Sequence, residues 1–352
     1  MRAYRKAAAG CALLLALTTA GCAGQDSATG TTDAAPAEPS EPSESSATTT
    51  AYAPYVSATT ASANDSAGSP ATYNLAFVIS SGDDCAPRWN GVQDIDDASV
   101  ASRVEKLKQS GQSGATVRVS FGGSSGTELA AACDSASELA AAYGEALDAA
   151  GSTQADFDIE GDELTDADSV ALRSEAIALL QKQRTDLKVS FTLPVMPSGL
   201  DADGLALLAS ANDHAVQVST VNLMTMNYGE SYTGDMGEYA LTSAKAAHTQ
   251  LRKVFGTSDA DAWRGMALTS MLGVNDVAGE TFTLADAAEV RAFAEEKGIA
   301  WVSMWAAFRD QQCTEDDTGA GDADTDTDAD DAATDCSGVT QEAGAFGEAF
   351  AG

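Results

Sequence analysis

The stretch "GSTQADFDIEGDELTD" (151–166) carries three acids at alternate positions, Asp156, Asp158 and Glu160, with an apolar residue between each pair. Side chains on a β-strand alternate between two faces, so we expect the three acids on one face and the two apolar residues on the other. Like charges held this close raise one another's pKa and share protons. The residue types and their spacing therefore suit general acid–base catalysis.

Short apolar runs alternate with helical patterns along most of the chain, which indicates repeated βαβ units. The apolar runs lie at 73–80, 115–123, 155–161, 187–195, 218–229, 264–273 and 298–306. Clear helical patterns lie at 137–150, 169–183, 236–255 and 283–298, the last ending on a C-capping Gly298. Seven strands are visible, and we expect an eighth in the irregular stretch 86–100. Seven or eight units in this length predict an α/β fold, a (β/α)8 TIM barrel.

The position of the acids on their strand is informative because barrel enzymes work at the C-terminal ends of the barrel strands. Glu160 stands at such an end, directly before Gly161, and the other two acids stand deeper on the same face. For the loop acids Asp162, Glu163 and Asp166 we expect solvated positions or helix caps. No GxGxxG or GxxxxGK[ST] motif follows the first strand, which disfavours a nucleotide-binding fold.

Composition excludes some classes of partner. The 352 residues carry a net charge of −34, which argues against nucleic acid and against purely electrostatic binding to an anionic membrane. With the N-terminal segments set aside, about 280 residues (71–352) remain, enough for one large domain. We expect a monomer that uses no metal ion and no other cofactor.

The N-terminus has the pattern of an export signal. Residues 1–21 combine a basic start, the apolar run "GCALLLAL" and a small-residue exit, and the run is too short to span a membrane. The exit "TTAGC" looks like a lipobox, which implies a lipid on Cys22 and a cell-surface lipoprotein held in the plasma membrane. Cleavage nearby as a plain secretory signal is the alternative, and both place the protein outside the cell. Residues 22–70, rich in Ala, Ser, Thr and Pro, predict a disordered tether.

Export makes the other cysteines candidates for disulfides. Four remain once the signal and Cys22 are set aside, and three pairings are possible. Sequence order favours Cys85–Cys133 and Cys313–Cys336, because each pair brackets one local excursion of the chain. Metal ligation is the rival interpretation, but no CxxC spacing occurs and both histidines are distant in sequence from every cysteine.

The second cysteine pair brackets an acidic insertion, residues 314–335, with ten acids and no basic residue. The alternation in "DADTDTDAD" could supply calcium ligands, but the glycine position and the closing Glu of an EF-hand are missing. We therefore expect a solvated acidic loop. Residues 337–352 then resume a helical rhythm and predict the last barrel helix.

Five stretches, in sequence order, resemble glycoside hydrolase family 18, the chitinases and their relatives. "DFDIEG" resembles the core of the family's DxxDxDxE motif, and "VSFGGSSG" (119–126) resembles its SxGG strand. "VNLMTMNYG" (221–229), "MLGVND" (271–276) and "VSMWAAFRD" (302–310) resemble its sixth, seventh and eighth strands. The resemblance covers roughly residues 73–350 and is closest to bacterial extracellular members. It implies hydrolysis of β-1,4 bonds in N-acetylglucosamine polymers with retention, the substrate's own acetamide acting as nucleophile.

The resemblance also implies a role for each acid. Glu160 would be the general acid that protonates the leaving oxygen and later activates water. Asp158 would accept a hydrogen bond from the acetamide N–H, and Asp156 would share a proton with Asp158. Crowding raises at least one pKa in such a group, which keeps a carboxyl protonated near neutral pH.

The sixth strand supplies further candidates for binding the sugar. While it stays extended, Met224, Met226 and Tyr228 share one face, and Thr225 and Asn227 share the other. The resemblance implies that this strand holds the acetamide, with Tyr228 donating to its carbonyl oxygen and Asn227 standing where relatives often have Asp. Core packing is the alternative role for the two methionines.

Three more residues are expected beside the sugar, and one expected acid is missing. Trp305 would form the apolar floor under the pyranose ring, with barrel packing as its alternative role. Gly122 and Gly123 would allow a close backbone approach. Thr153 stands where the family motif begins with Asp, so the deepest carboxylate is absent.

Several other functions remain compatible with these residues. An endo-β-N-acetylglucosaminidase acting on glycans or peptidoglycan, or a carbohydrate-binding lectin without activity, would use the same barrel and also bind carbohydrate. A metal-dependent barrel enzyme would use the acids as ligands. A Ser–His–Asp hydrolase is poorly supported, because no GxSxG motif occurs and His214 and His248 look like ordinary helix or surface residues.

Overall fold

The structure, a computed structural model, describes residues 50–82, 84–110, 114–314 and 335–352. The predicted signal peptide, Cys22, the tether as far as residue 49 and most of the acidic insertion lie outside these residues. In the described part of the chain, no helix combines the length and the apolar character needed to cross a membrane.

Parallel strands form a closed barrel with short hairpins at its rim. The strands are β1 (Ala51–Tyr52), β2 (Tyr55–Ser57), β3 (Thr72–Ser80), β4 (Pro87–Trp89), β5 (Gln93–Asp94), β6 (Thr116–Gly122), β7 (Gln154–Asp158), β8 (Lys188–Pro194), β9 (Val218–Met224), β10 (Met266–Met271), β11 (Gly273–Val274), β12 (Thr281–Phe282) and β13 (Trp301–Trp305). From β3 the wall continues through β6, β7, β8, β9 and β10 to β13, each strand parallel to the next. All seven strands visible in the sequence are present, and the fold is the predicted (β/α)8 barrel.

The strand that closes the barrel corrects two predictions. Residues 51–57 form it, because β1 pairs with β13 and β2 pairs with β3. This segment was assigned to the disordered tether, yet Tyr52, Tyr55 and Val56 are buried in the barrel wall. These side chains lie in a stretch composed mainly of small and polar residues, so the local sequence pattern does not indicate a strand there. The stretch 86–100, where the missing strand was expected, holds the antiparallel hairpin β4–β5 and the start of a helix instead.

Helices surround the barrel and bury the outward-facing side chains of the strands. They are α1 (Ala98–Lys108), α2 (Leu129–Ala132), α3 (Ala136–Ala150), α4 (Gly161–Thr165), α5 (Ala167–Gln183), α6 (Ala202–Asp213), α7 (Met236–Phe255), α8 (Asp259–Arg264), α9 (Leu284–Lys297) and α10 (Ala345–Ala351). Tyr143 of α3 packs with ring centroids 4.7 Å from Phe121 and 5.0 Å from Phe157. Burial of each such ring stabilises the fold by about 2 kcal/mol. Because Phe157 faces the helices, its strand neighbours Asp156 and Asp158 face the interior of the barrel.

Both predicted disulfides are present, and they tie down loops on the C-terminal side of the barrel. Cys85, in the loop after β3, pairs with Cys133 at the end of α2. Cys313 pairs with Cys336 and closes the base of the acidic insertion.

The ends of the last two helices also follow the prediction. Gly298 caps α9 with a left-handed φ of +69°. The predicted last helix is present as α10, and the buried carboxylate of Asp310 accepts hydrogen bonds from the backbone N–H groups of Phe346 and Gly347 at its start. The C-terminal helix is thereby fixed to the loop after β13.

Candidate active site

Three acids line the path from the barrel interior to an open cleft: Asp156 and Asp158 of β7, and Glu160 two residues beyond the end of that strand. Asp156 is 1% exposed and Asp158 is 5% exposed, while Glu160 is only partly buried and lines the cleft together with Asp158. Glu160 stands at the N-cap position of α4, but its side chain accepts no hydrogen bond from that helix. The carboxyl group therefore does not serve as a helix cap and is available to the cleft.

Asp156 is held by four hydroxyl groups. The hydroxyls of Tyr55 and Ser120 donate to its Oδ2 atom at 2.9 and 2.8 Å, and those of Ser190 and Thr192 donate to its Oδ1 atom at 2.6 and 2.9 Å. Four donated bonds suit a negatively charged carboxylate in a buried site. Asp156 is thus a fixed acceptor at the base of the site, and no hydrogen bond joins it to Asp158 among the described contacts.

Asp156 is fully hydrogen-bonded although the first acid of the motif is missing. Thr153, at that position, is exposed at the start of β7, and its carbonyl accepts a bond from the N–H of Lys188. Tyr55 supplies one of the four hydroxyl groups that donate to Asp156. Sequence reasoning missed Tyr55 because its segment was assigned to the tether.

Asp158 combines deep burial with an unused hydrogen-bonding atom. Its Oδ1 atom has no partner among the described residues. Burial raises its pKa well above the usual value, and the nearby charges of Glu160 and Asp156 raise it further. A buried polar atom without a partner is costly, so this oxygen is a position where a ligand's N–H group would gain a hydrogen bond.

Glu160 titrates near neutral pH. Burial, and then the charge of Asp276, raises its pKa to about 7. A carboxyl group with that pKa is protonated in about half of the molecules at pH 7, and it can both give and take up a proton during a reaction.

Asp276 is a site residue for which sequence reasoning gave no role. It lies in the turn between β11 and β12, lines the cleft, and accepts a hydrogen bond from the Nδ2 group of Asn227 at 3.1 Å. The available signal was its place at the end of "MLGVND", directly after a barrel strand, which is where barrel sites collect their acids.

An aromatic cluster lies beside the acids. The ring of Trp305 stacks on Phe77 at 5.5 Å with 23° between their planes, and Tyr55 packs edge-on against Trp305 at 5.8 Å. All three line the cleft. Trp305 therefore lines the cleft, and its role as a floor under the sugar ring remains a prediction.

The end of the sixth barrel strand departs from the predicted alternation. β9 ends at Met224, and Asn227 adopts a left-handed conformation with φ +53°, so the two-residue period is broken. Met224, Met226 and Asn227 all line the cleft. Tyr228 is turned away from it: its hydroxyl lies 3.5 Å from Ser243 of α7. The prediction that Tyr228 contacts the substrate is wrong, because it assumed an extended strand through residue 229.

Gly122, the last residue of β6, and Gly123, which follows it, allow the close approach that was predicted. A Cβ atom on Gly122 would lie 2.2 Å from the carbonyl oxygen of Asp158, and one on Gly123 would lie 2.9 Å from the ring of Phe77. Both glycines have φ above +90°, a conformation that other residues rarely adopt. Because neither glycine has a side chain, the backbone of Asp158 and the ring of Phe77 can pack directly against the end of β6.

The cleft continues on the other side of Glu160. A second cavity shares Glu160, Met224, Met226 and Asn227 with the first and extends past Met196. It also reaches Pro194, Val195 and Asp201. Glu160 therefore stands between two compartments, as expected for an acid that acts on a bond joining two bound groups.

The other candidate residues lie elsewhere. His248 stacks on Trp263 at 3.9 Å, and a ring nitrogen of His214 lies 2.9 Å from the Ser210 carbonyl oxygen, both away from the cleft. Among the described residues, no group of three or more His, Cys, Asp or Glu side chains has an arrangement that could hold a metal ion.

Two curated relatives match this chain in sequence. A probable bifunctional chitinase/lysozyme of Escherichia coli (strain K12) is 32% identical over 278 residues, which are 74% of this chain and 31% of that protein. Endochitinase 11 of Metarhizium anisopliae is 31% identical over 279 residues, which are 74% of this chain and 52% of that protein. The chain thus spans about a third and about half of the length of these relatives. No family model matches it.

Solved structures match over most of the chain. Active domain 2 of a thermostable chitinase from Pyrococcus furiosus, complexed with chito-oligosaccharides, matches with a TM-score of 0.71 at 27% identity and covers 85% of this chain and 92% of that one. The catalytic domain of the hyperthermophilic chitinase from the same organism matches with a TM-score of 0.70. On this similarity of sequence and fold, the barrel domain of this chain resembles the catalytic domains of chitinases, the same family that its five sequence motifs resemble.

Proposed function

We propose that this protein hydrolyses β-1,4 bonds in N-acetylglucosamine polymers, with retention of configuration and with the substrate's acetamide as nucleophile. The observation that carries the proposal is the pair formed by Glu160, whose pKa is about 7, and Asp158, whose buried Oδ1 atom lacks a partner. One group can give a proton and the other can accept an N–H bond. Both line the same cleft.

The two groups would act on one sugar in sequence. The substrate's N–H would donate to Asp158, which turns the acetamide carbonyl oxygen toward the anomeric carbon. As that oxygen bonds to the carbon, the glycosidic C–O bond breaks and Glu160 gives its proton to the leaving oxygen. The resulting cyclic oxazolinium ion keeps its positive charge beside Asp158. Water then attacks the anomeric carbon, the bond from that carbon to the acetamide oxygen breaks and restores the acetamide, and Glu160 takes up the water's proton.

Other side chains would hold the sugar for this reaction. The cluster of Trp305 and Phe77 would lie under the ring, where its C–H face needs an apolar floor. Asp156, with its four hydroxyl donors, would keep a fixed negative charge below Asp158 and stabilise the positive intermediate. Asn227 and Met226 would contact the sugar from the side of β9.

Charge favours chitin-like polymers over peptidoglycan among the candidate substrates. Asp201 and Asp276 line the two cavities beside Asp158 and Glu160, whose pKa values are raised, and neither lining contains a Lys or Arg. N-acetylmuramic acid carries a carboxylate, which this surface would repel, whereas N-acetylglucosamine is neutral.

A digest of defined chito-oligosaccharides tests the proposal. Product sizes and the anomer first released, followed by NMR, should show cleavage between two N-acetylglucosamine units and a retained β-configuration. Glu160→Gln should lower kcat by at least ~10³-fold, and Asp201→Asn, at a carboxylate in the same cleft, should retain most of the activity. Binding of the oligosaccharide without any turnover by the wild-type protein would identify a lectin instead.

We also propose that the protein is exported and anchored to the outer face of the plasma membrane by a lipid on Cys22. The small-residue exit before Cys22 supports this. Metabolic labelling with a fatty-acid analogue should mark the wild-type protein and leave Cys22→Ala unlabelled. Recovery of an unlabelled wild-type protein in the medium would support simple secretion.

A further inference from the structure

Two turns at the C-terminal end of the barrel meet beside the cleft. Asn227 belongs to the turn after β9, and Asp276 belongs to the turn between β11 and β12. Their side chains are joined by the 3.1 Å hydrogen bond from Asn227 to Asp276, and both line the cleft that contains Glu160. Both side chains are exposed, so this bond alone would not hold the turns in place.

A buried carboxylate behind the cleft connects the same two turns. Glu280 is 0% exposed and is absent from the linings of both cleft cavities. Its Oε1 atom accepts a hydrogen bond of 2.8 Å from the backbone N–H of Gly229. Burial raises its pKa, while the N–H groups of Gly229, Tyr228 and Asn227 lie close enough to oppose that rise. The bond from Gly229 thus ties this buried carboxylate to the turn after β9, while its Oε2 atom has no hydrogen-bond partner among the described residues.

The backbone of Glu280 closes the other turn. Its carbonyl oxygen accepts from the N–H of Asn275 at 3.1 Å, and its N–H donates to the carbonyl of Val277 at 3.2 Å. Asn275 is itself buried and donates through Nδ2 to the carbonyl of Met271 at 2.9 Å. The turn that carries Asp276 is therefore fixed to β10 and to Glu280.

The turn after β9 needs an external partner. Asn227 has φ +53°, a conformation that non-glycine residues seldom adopt, whereas the φ of +113° at Gly229 is one that glycine adopts readily. A non-glycine residue in the left-handed region costs on the order of 1 kcal/mol, so the turn persists where its surroundings favour it. The carboxylate of Glu280 favours this conformation because it accepts a hydrogen bond from the N–H of Gly229, which the turn directs toward it.

We propose that Glu280 is a positioning residue of the active site, which holds the turn 227–229 against the turn 275–280 and so sets where Asn227 and Asp276 stand relative to Glu160. This inference rests on the proposed function, because its readout is the turnover of a chito-oligosaccharide. Glu280 itself does not contact the substrate. It acts through Asp276, whose charge contributes to the raised pKa of Glu160.

The expected signature is a change in pH dependence. As general acid, Glu160 must be protonated, so kcat/KM falls as the pH rises through its pKa. If the two turns separate, the charge of Asp276 moves away, the pKa of Glu160 falls, and the alkaline limb of the profile moves to lower pH. A shift of about half a pH unit is the size expected for one carboxylate near the surface.

Three variants test the proposal on a soluble chito-oligosaccharide. Glu280→Ala removes the acceptor and should move the alkaline limb to lower pH and raise KM, since Asn227 is no longer held at the cleft. Glu280→Gln keeps an oxygen acceptor for Gly229 and should move the limb less. Glu280→Asp withdraws the carboxylate by one methylene and should resemble Glu280→Ala, which provides a second variant where Glu280→Ala does not fold.

Asp65→Ala is the matched control for loss of a buried carboxylate. Asp65 is 8% exposed and pairs with Arg103 of α1 and the N–H of Ser62, away from the cleft. This variant should lose stability without moving the limb. A uniform loss of activity in Glu280→Ala and Glu280→Asp, with the alkaline limb of the wild-type protein retained, would overturn the inference and leave the proposed function standing. Absence of turnover by the wild-type protein would instead refute the proposed function.

Discussion

The carboxyl groups of Asp276 and Glu160 line one cleft from different barrel strands, and the charge of Asp276 raises the pKa of Glu160. Burial of Glu160 is the larger cause of that rise, and the charge of Asp276 raises the pKa further. A substantial fraction of Glu160 is thereby protonated near neutral pH, as the proposed reaction requires.

Removal of the charge of Asp276 should lower the pKa of Glu160. In Asp276→Asn the alkaline limb of kcat/KM should move to lower pH, away from its wild-type position near pH 7. The position of the alkaline limb is measured from kcat/KM for a chito-oligosaccharide at a series of pH values and constant ionic strength. Asp201→Asn is the control, because Asp201 lines the neighbouring cavity and is not among the causes of the raised pKa. A limb that stays in place, or moves to higher pH, would contradict this account.

Glu160 should also reduce the stability of the folded protein at neutral pH. Its pKa is about 7 in the folded state and 4.5 ordinarily, so above pH 4.5 the unfolded chain loses a proton that the folded protein retains. The folded state is therefore penalised increasingly as pH rises from 4.5 to about 7, after which the penalty stays constant. Glu160→Gln should raise the free energy of unfolding at pH 8 by on the order of 2 kcal/mol and change it little at pH 4.

Chemical denaturation at the two pH values checks this sign. Glu163→Gln serves as the control, because Glu163 lies in α4 on the same loop and outside the cleft lining. A Glu160→Gln variant less stable than the wild type at pH 8, or equally stabilised at both pH values, would contradict the raised pKa.

Tyr55 and Tyr228 should differ sharply when each loses its hydroxyl group. Tyr55→Phe removes one of the four donors to Asp156 inside the barrel, and should reduce kcat by roughly tenfold and stability by about 1–2 kcal/mol. Tyr228→Phe removes a hydroxyl whose described neighbour is Ser243 at 3.5 Å, and should leave kcat and KM nearly unchanged. Steady-state kinetics of the two variants compare them directly. A large loss in Tyr228→Phe would restore the role that its place in the sequence suggested.

Strand β7 and the turn after β9 show where sequence reasoning succeeds and where it stops. The alternation of acids and apolar residues fixes which side chains of β7 face the barrel interior, since strand geometry leaves two choices, and Asp156, Asp158 and Phe157 lie as predicted. The same rule fails three residues past the end of β9, because the left-handed Asn227 interrupts the alternation of faces. A single backbone conformation outside a strand is set by distant partners, here the buried Glu280, which no local pattern reveals.

The barrel's first strand was missed for a different reason. Its apolar residues Tyr52, Tyr55 and Val56 stand at the edge of a long stretch of small and polar residues, and their burial depends on pairing with β3 and β13. Those partners lie up to 250 residues away in sequence. Disulfide pairing was easier to predict, because each pair closes one local excursion.

Gly122 should tolerate no side chain. In Gly122→Ala the new Cβ atom would lie 2.2 Å from the carbonyl oxygen of Asp158, and φ of +92° is unfavourable for alanine as well. We expect a loss of at least ~3 kcal/mol of stability, or failure to fold, together with displacement of Asp158. Gly161→Ala is the matched control: it also has positive φ, but no atom lies within 4 Å of its Cβ position, so a cost of about 1 kcal/mol is expected. Thermal unfolding compares the two, and equal losses would contradict the proposed steric role.

The charge of the cleft should separate neutral from anionic substrates. Asp158, Glu160, Asp201 and Asp276 line the two cavities, and none of the four forms an ion pair with a described Lys or Arg. We expect kcat/KM for a neutral chito-oligosaccharide to vary little with added salt. For a fragment of equal length that contains N-acetylmuramic acid, we expect a value at least ~10-fold lower at low ionic strength.

Salt distinguishes this repulsion from a steric effect. The range of charge interactions falls from about 30 Å at 0.01 M salt to about 3 Å at 1 M. The gap in kcat/KM between the neutral and the anionic substrate should therefore narrow as sodium chloride is added. Asp201→Asn, which removes an exposed charge without touching the two central acids, should narrow the gap at low salt and have no further effect at 1 M. A gap that salt leaves unchanged would show that the lactyl group is excluded by shape, and equal rates at low salt would show that the acidic lining does not select the substrate.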